Sequence, residues 1–287
     1  MSKKIFVFFL LISNAVFAAG ENSQAQKWNS PEGLKRLERS QFKNDFYQLV
    51  NFYQPQENPL FCSIATGTMI RNALNYDNIP SQKEGEVVKP DGTIAEYHLY
   101  AQKGFFNRAT ERVKKRAIIE NKETLPDGKT YDAGLSLGDF AKMLGVHGLE
   151  AWPVFAKKND VKFGQEFREV LKRSLSEQEE FVVVNFDGKV LGKETRGHIS
   201  PLAAYDEETD SVLVLDVALH KNPWYWIEVS QLLKSMNTKD GNTYRGYLRV
   251  SSFKPIRCGT RDPTPEEMME VEKTLQETSR REEMKKD

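Results

Sequence analysis

The 287 residues include only two cysteines, Cys62 and Cys258, so disulfide bonds cannot form the framework of this fold. The sequence also lacks CxxC, HExxH and paired His/Cys spacings, which excludes the common structural zinc sites. A single disulfide between the two cysteines stays open, because residues so far apart in the chain can lie anywhere relative to each other. We therefore expect a fold stabilised by its apolar core, without a metal site.

The sequence has no excess of charge and only one long apolar run. Its 41 basic and 41 acidic residues cancel, and no basic stripe with interleaved aromatic residues occurs, so nucleic acid is not an expected partner. The apolar run, residues 5–12, follows Lys3 and Lys4 and is too short to span a bilayer. Small residues up to Ala18 complete the layout of a signal peptide. We expect cleavage after Ala18 and a mature protein, not bound to the membrane, in the bacterial periplasm; a eukaryotic secretory signal is the alternative.

What the sequence does contain is a cysteine at the predicted start of a helix. Residues 56–61 form a polar turn with a proline, and the apolar residues of 62–74 recur at helical spacing. The N–H groups and the dipole of a helix N-terminus stabilise an anion, which favours the reactive thiolate form of Cys62. Gln56 can fold back and donate a hydrogen bond to an oxyanion near the sulfur. The alternative is that Cys62 is an ordinary buried cysteine.

A predicted hairpin carries a histidine and an aspartate. Residues 197–205 and 211–216 read as strands on either side of the turn 206–210, so the turn brings His198 close to Asp216. Their separation of 18 residues is even, which predicts that both side chains lie on one face of the sheet. Such a pair can serve a cysteine as its base and as the anion that orients the base. The alternative is a core histidine satisfied by a carboxylate.

The other elements are predicted from capping signals and periodicity. A helix begins after the N-cap Ser30, and its apolar pattern continues to Phe52. The polar stretch 75–134 is expected to be irregular and solvated, and His147 to be a dipole partner at a helix C-terminus. The remaining predicted elements are helices over 135–147 and 164–176 and strands over 181–186 and 244–251.

Three stretches of the chain resemble the phytochelatin synthase family. The first is Ser-Pro-Glu-Gly at 30–33, and the second is the segment from Gln56 to Leu74 that contains the cysteine. The third is a series of short motifs in the distal half: Gly197 to Tyr205, Leu215 to Ala218, Met236–Asn237 and Arg245–Gly246. The resemblance covers residues 30–75 and about 180–251 in order, and it is weak in between.

By this resemblance the fold is α+β and papain-like, with a helical subdomain that carries the nucleophile packed on an antiparallel sheet that carries the histidine and the aspartate. The cysteine of the family attacks the Cys–Gly peptide bond of glutathione, so that glycine leaves and a γ-glutamylcysteinyl thioester remains. Water can then hydrolyse the thioester, or the amine of a second glutathione can take the acyl group in phytochelatin synthesis.

The resemblance also assigns roles to individual residues. It makes Cys62 the nucleophile, His198 the general base and then acid, and Asp216 the residue that orients the imidazole. It makes Gln56, together with the Cys62 amide, the oxyanion hole. The residues assigned to substrate binding are Arg245, for a carboxylate, and Asn185 and Gly197, in the acyl pocket.

For the whole chain, the resemblance implies a signal peptide over 1–18, a catalytic domain over 28–257 and a charged helical tail over 258–287. This is the organisation of a short prokaryotic-type member without the Cys-rich C-terminal domain. No cofactor is required for the chemistry, and the expected partner is glutathione or a related γ-glutamyl peptide. A cadmium or zinc thiolate as substrate or activator stays open. Two alternatives remain: a thiol peptidase that cuts other periplasmic peptides, and a non-enzymatic binder of glutathione or metal thiolates.

Three positions depart from the family pattern. Ser63 follows the cysteine where glycine is usual, Leu219 follows Asp-Val-Ala where arginine is usual, and Gly188 lies where relatives can carry arginine. The last two remove positive charge from substrate binding and leave the three catalytic positions intact. We therefore expect hydrolysis to dominate over transfer to a second glutathione.

Overall fold

The computed structural model describes residues 25–74, 83–124, 128, 133–157 and 160–252. The predicted signal peptide, Cys258 and the charged tail lie outside the described residues, so the expectations about them and about the domain boundaries stay predictions. None of the described helices is long and apolar enough to cross a bilayer.

Eight α-helices occur in the described part of the chain, and three of them start at side-chain caps. They are α1 (Pro31–Arg39), α2 (Asn44–Val50), α3 (Cys62–Leu74), α4 (Thr110–Val113), α5 (Arg116–Ile119), α6 (Leu137–Val146), α7 (Val161–Ser174) and α8 (Val229–Met236). The predicted cap Ser30 accepts a hydrogen bond from the N–H of Gly33, and Ser136 and Asp160 cap α6 and α7 in the same way. The helix predicted from the turn that precedes Cys62 is confirmed as α3.

Seven of the strands form one mostly antiparallel sheet, which confirms the predicted α+β class. The strands of the described chain are β1 (Gln26–Lys27), β2 (Lys83–Val88), β3 (Ile94–His98), β4 (Leu149–Phe155), β5 (Glu180–Asp187), β6 (Gly197–Asp206), β7 (Ser211–Val214), β8 (Tyr225–Glu228), β9 (Lys239–Asp240), β10 (Thr243–Tyr244) and β11 (Gly246–Ser252). The large sheet has the order β1-β8-β7-β6-β5-β11-β4. The pairings from β1 through to β11 are antiparallel, and β2–β3 and β9–β10 form separate two-stranded ribbons.

Helices cover both faces of the sheet, and β5 lies between two apolar cores. Phe181 and Val183 pack in the core that contains residues of α3 and α6, whereas Val182, Val184 and Phe186 pack in the core of α7 and α8. Because alternate residues of a strand point to opposite faces, a strand buried on both sides is mostly apolar. This burial explains why β5 is apolar at residues 181–184 and at Phe186, with Asn185 as a buried polar exception.

The register of the turn between β6 and β7 differs from the one that the sequence analysis assumed, in which residues separated by an even number share a face of the sheet. The closing pair, Asp206 and Ser211, is five residues apart, and Tyr205 and Val212 are seven apart. In this register, residues that share a face are separated by odd numbers. The prediction that an even separation puts both side chains on one face was therefore wrong for the turn itself.

A β-bulge in β6 reverses that parity before His198 is reached. Ala203 and Ala204 both pack in the α3 core, so two consecutive residues of β6 occupy the same side. Beyond the bulge Leu202 pairs with Val214, twelve residues away, and even separations then share a face. The bulge, and not the turn, allows His198 to meet Asp216.

Two other predictions about local structure were wrong in part. The single helix predicted from Ser30 to Phe52 is interrupted, because Phe42 leaves the helical path to bridge Tyr205 of β6. The carbonyl oxygen of Phe42 accepts a hydrogen bond from the N–H of Tyr205 at 2.8 Å. The stretch 75–134, predicted to be irregular, contains the β2–β3 hairpin together with α4 and α5.

Asp45 in α2 is a buried carboxyl group that the fold does not pair. It is almost fully buried, and neither of its carboxylate oxygens has a hydrogen-bond partner among the described residues. Burial, and secondly the nearby charge of Glu180, raises the pKa of Asp45 well above its usual value of 3.8. The folded protein therefore holds a proton on Asp45 that the unfolded chain releases in mildly acidic solution.

We expect Asp45→Asn to stabilise the protein at neutral pH. Between pH 3.8 and the raised pKa the folded state binds more protons than the unfolded state, so stability falls as pH rises. Asparagine removes this dependence, and a gain of about 1 kcal/mol would raise the melting temperature by roughly 2–4 °C. Thermal unfolding measured from acidic to neutral pH should show the gain shrinking as the pH approaches 4. The control Glu177→Gln, which changes an exposed carboxylate, should show no such trend; an equal gain at all pH values would contradict the assignment.

Candidate active site

Cys62 is the first residue of α3, and a tight turn before the helix determines its position. Asn58 organises the turn, since its Oδ1 accepts a hydrogen bond from the N–H of Leu60 and its carbonyl oxygen accepts one from the N–H of Phe61, both at 2.9 Å. Cys62 is a partly exposed free thiol that lines a cavity. The sulfur therefore lies at the positive end of the helix dipole, next to backbone N–H groups of the first turn.

The structure brings His198 together with both Asp216 and Cys62. His198 Nε2 lies 2.7 Å from Asp216 Oδ1, and the two residues are only 3% and 0% exposed. A carboxylate can only accept, so Nε2 carries the hydrogen and Nδ1 is left for the nearby Cys62 thiol, which lines the same cavity. Burial by itself lowers the pKa of His198, but the interactions with Asp216 and Cys62 outweigh it and raise that pKa above 6.5.

Asp216 is held by groups that the sequence did not suggest. Its Oδ1 also accepts a hydrogen bond from the N–H of Ala218 at 2.8 Å, and its Oδ2 accepts one from Asn222 Nδ2 at 3.2 Å. The hydroxyl of Tyr53 donates to the backbone carbonyl oxygen of Asp216 at 2.7 Å. Asn222 lies only six residues after Asp216 and directly before a proline, so the local sequence could have indicated a turn that returns its short polar side chain to the aspartate. No local pattern indicated Tyr53.

Gln56 lies at the cavity and is tied to the Asp216 loop by its backbone. Its N–H donates to the carbonyl oxygen of Val217 at 2.9 Å, which connects the segment before the cysteine to the loop after β7. Its Nε2 donates one hydrogen bond to Asn58 O at 2.9 Å. A carboxamide NH₂ has two hydrogens, so one remains for a ligand in the cavity.

Arg245, Asn185 and Gly197 meet at one end of the same cavity, together with Asp240. Arg245 Nη1 donates to Asn185 Oδ1 at 2.9 Å and lies 3.3 Å from Asp240 Oδ2, while Asn185 Nδ2 donates to Asp240 Oδ2 at 3.0 Å. A Cβ atom on residue 197 would lie 2.7 Å from Arg245 Nη1, so only glycine leaves room for the guanidinium. Asp240 was not predicted, because no local pattern connects the β9–β10 ribbon to the hairpin.

The cavity has a volume of about 400 Å³, and several polar groups that line it lack partners. Gln56 Oε1, Thr195 Oγ1 and Arg245 Nε are buried without a hydrogen-bond partner among the described residues. Buried polar atoms are normally satisfied, so unpaired ones in a cavity indicate a site for a polar ligand. The cavity also carries the exposed cations Arg196 and Lys221, which sequence reasoning missed although each lies close in the chain to His198 or Asp216.

The three positions predicted to depart from the family pattern lie in different surroundings. A Cβ atom on Gly188 would lie 2.1 Å from Thr195 Oγ1 and 2.5 Å from its carbonyl oxygen, so position 188 of this chain has no room for an arginine. Leu219 is 51% exposed and follows Ala218, which lines the cavity. Ser63 is fully buried, and its hydroxyl has no partner among the described residues.

His147 lies outside this site. It is the C-cap residue of α6, as predicted, and its Nε2 lies 2.9 Å from the carbonyl oxygen of Phe105. Burial, and then the charge of Arg71, lowers the pKa of His147 to about 4, so this ring is neutral at physiological pH. The predicted position at the helix end is confirmed, but the predicted role as a charged partner of the helix dipole was wrong. No group of three or more His, Cys, Asp or Glu residues within the described ranges is arranged to hold a metal ion.

Comparison with known proteins agrees with these motifs. The family model for phytochelatin synthase matches residues 21–247. Glutathione gamma-glutamylcysteinyltransferase 3 of Lotus japonicus is 28% identical over 230 residues, which are 78% of this chain and 42% of the relative. Glutathione gamma-glutamylcysteinyltransferase of Schizosaccharomyces pombe is 27% identical over 217 residues, 75% of this chain and 45% of the relative. The chain thus spans less than half the length of these relatives, and because the family model covers most of its residues, it belongs to the phytochelatin synthase family.

Proposed function

We propose that this protein uses Cys62 to cleave the Cys–Gly bond of glutathione, on a fold of papain-like type. The observation that carries the proposal is the His198–Asp216 hydrogen bond of 2.7 Å beside a cysteine at a helix N-terminus. Membership of the phytochelatin synthase family supports glutathione as the substrate, since the relatives are named for transfer of its γ-glutamylcysteinyl group.

In the first step the Cys62 sulfur attacks the carbonyl carbon of the Cys–Gly bond. The charged His198 stabilises the thiolate before attack, and Asp216 stabilises the charged imidazole. The oxyanion that forms accepts hydrogen bonds from the Cys62 N–H and from the unused hydrogen of Gln56 Nε2. When the C–N bond breaks, His198 gives its proton to the nitrogen of the departing glycine, and a thioester on Cys62 remains.

In the second step the neutral His198 takes a proton from an attacking water molecule or from the amine of a second glutathione. The tetrahedral intermediate collapses, the C–S bond breaks, and His198 returns to the charged form beside the thiolate. With water the products are γ-glutamylcysteine and glycine. With the amine, the acyl group is transferred and a phytochelatin results.

The arginine at the end of the cavity suits the acyl half of such a substrate. A guanidinium recognises carboxylates in a fixed, planar geometry, and Arg245 keeps Nε unpaired among the described residues while Asn185 and Asp240 hold its other end. We propose that Arg245 binds the α-carboxylate of the γ-glutamyl group and that Asp240 attracts its ammonium. Gly197 allows the guanidinium to lie close to the strand that carries His198.

Glycine release from glutathione by the mature protein, with and without cadmium, tests the function directly. Mass spectrometry should identify γ-glutamylcysteine and glycine, and Cys62→Ala should abolish both because alanine has no thiol with which to form the thioester. The control Cys258→Ser changes the second cysteine and should keep the activity. Glycine release by Cys62→Ala at the wild-type rate would reject the proposal, whereas inertness of the wild type would favour another peptide or a binding role.

Asp216→Asn should lower turnover by about 10⁴-fold, the size of loss known when the acid of a serine triad becomes an amide. Asparagine lacks the charge that stabilises the imidazolium, while the Asn222 side chain can rotate to keep a hydrogen bond to it. The matched control is Asp206→Asn, another buried aspartate, which binds Arg39 instead. The control should lose stability and retain turnover; equal turnover of the two variants would contradict the role of Asp216.

We propose further that hydrolysis exceeds transfer, because transfer needs a bound second peptide with its amine aimed at the thioester. Leu219 offers no charge that could bind a carboxylate of such a peptide. Export, which the predicted signal peptide implies, would also take the enzyme away from the cytoplasmic glutathione pool. Product analysis at millimolar glutathione should therefore give mainly γ-glutamylcysteine, and Leu219→Arg should raise the ratio of transfer to hydrolysis. Abundant phytochelatin from the unaltered protein would reverse this assignment.

A further inference from the structure

The loop from Asp216 to Asn222 folds back on itself, so that the side chain of its last residue contacts the side chain of its first. The carbonyl oxygen of Ala218 accepts hydrogen bonds from the N–H groups of Lys221 and Asn222, at 2.8 and 2.9 Å. The side chain of Asn222 is buried, with 5% of its surface exposed, and it donates a hydrogen bond to the carboxylate of Asp216. The loop is thus a closed unit that contains both the carboxylate and a donor for it.

The two oxygens of Asp216 have different partners, and this fixes the plane of the carboxylate. Oδ1 accepts from His198 and from the N–H of Ala218, while Oδ2 accepts from Asn222 Nδ2 at 3.2 Å. A carboxylate held at one oxygen can still rotate about its Cβ–Cγ bond. Held at both oxygens, it directs a lone pair of Oδ1 at the imidazole.

We propose that Asn222 is a positioning residue of the active site, which acts on Cys62 through Asp216 and His198. This inference rests on the proposed catalytic roles of those three residues, but not on the identity of the substrate. The donor amide orients the carboxylate while adding no charge. A lysine or arginine in its place would compete with the imidazolium for the negative charge of Asp216, so a neutral donor is the suitable group.

The other titratable groups near Asp216 do not duplicate this function. Lys193 lies half-buried over the ring of Tyr225, with its nitrogen 3.9 Å from the ring centroid, and the charge of Asp216 acts on it without a hydrogen bond between the two side chains. The hydroxyl of Tyr225 is buried near Asp216 and has no hydrogen-bond partner in the described chain. Tyr53 binds the backbone oxygen of residue 216. Within the described ranges, Asn222 is the side chain that donates a hydrogen bond to Oδ2.

The experiment measures how the alkylation of Cys62 by iodoacetamide depends on pH. In this reaction the sulfur forms a bond to the CH₂ carbon of the reagent and iodide leaves, so no peptide substrate is needed. The rate profile contains an upper limb, a change of rate where His198 loses its proton, because the thiolate that remains reacts at a different rate once it is no longer paired with an imidazolium. Because Asp216 and Cys62 raise the pKa of His198, this limb should lie well above neutral pH in the wild type.

Two variants remove the donor, Asn222→Leu with similar shape and Asn222→Ala with less bulk. Each should move the upper limb down by about one pH unit and lower turnover about tenfold with little change in KM, because a carboxylate that can rotate away from the imidazole stabilises its positive charge less. The matched control is Asn72→Leu, because Asn72 is equally buried and donates to Tyr100 O at 3.0 Å, away from Asp216. The control should lower the melting temperature and leave the limb in place.

The outcomes separate this inference from the proposed function. If Asn222→Leu and Asn222→Ala move the limb no further than Asn72→Leu does, Asn222 has a merely structural role and the inference is overturned. A shifted limb in a protein that does not cleave glutathione supports Asn222 while rejecting the substrate. A wild-type profile without any limb assigned to His198 would reject the catalytic roles, and with them this inference.

Discussion

The buried hydrogen bond between His198 and Asp216 is the contact on which the rest of this site depends. Both side chains are almost completely removed from water, and a charged pair in such a position is tolerable only when its remaining hydrogen-bonding groups are satisfied. Ala218 and Asn222 satisfy the carboxylate, and the free nitrogen of the imidazole is left for Cys62, which lines the same cavity. Burial costs free energy because these charged groups lose their contact with water. The same loss of water strengthens the electrostatic interactions among them, so a positive charge on the imidazole can stabilise the thiolate of Cys62.

The architecture supplies the rigidity that this contact needs. The α3 helix is joined to β6 near the reacting groups, since Thr66 Oγ1 donates to the carbonyl oxygen of Ile199 at 3.2 Å. The Gln56–Val217 backbone hydrogen bond joins the turn before the helix to the loop after β7. With helices packed on both faces of the sheet, the cysteine and the histidine belong to elements that cannot move independently without opening an apolar core. The site is therefore positioned by the fold as a whole and not by one flexible loop.

The cavity is shaped and charged by residues from several segments of the chain. Thr195 occupies the space next to Gly188, and Arg196 and Lys221 bring positive charge to the cavity although Leu219 does not. The lining also includes the acidic residues Glu194 and Asp240, so cations and carboxylates both contribute to the charge of the cavity, and at Gly188 the space is filled by a neighbouring residue. Charge in a cavity depends on every segment that reaches it, so a comparison of single motif positions gives an incomplete account.

The sequence by itself determined the local features: the helix that begins at Cys62, the cap at Ser30, the apolar strand β5, the hairpin and the motifs of the family. These depend on neighbours within a few residues, where capping, periodicity and turn chemistry act. The tertiary structure alone decided which distant groups complete the site, such as Tyr53 and Asp240, because nothing in the local sequence encodes contacts between separate strands. It also decided the parity of the hairpin. His198 and Asp216 meet because a bulge at Ala203 and Ala204 shifts the register by one residue, and such a bulge forms where packing against α3 favours two consecutive small residues on one face.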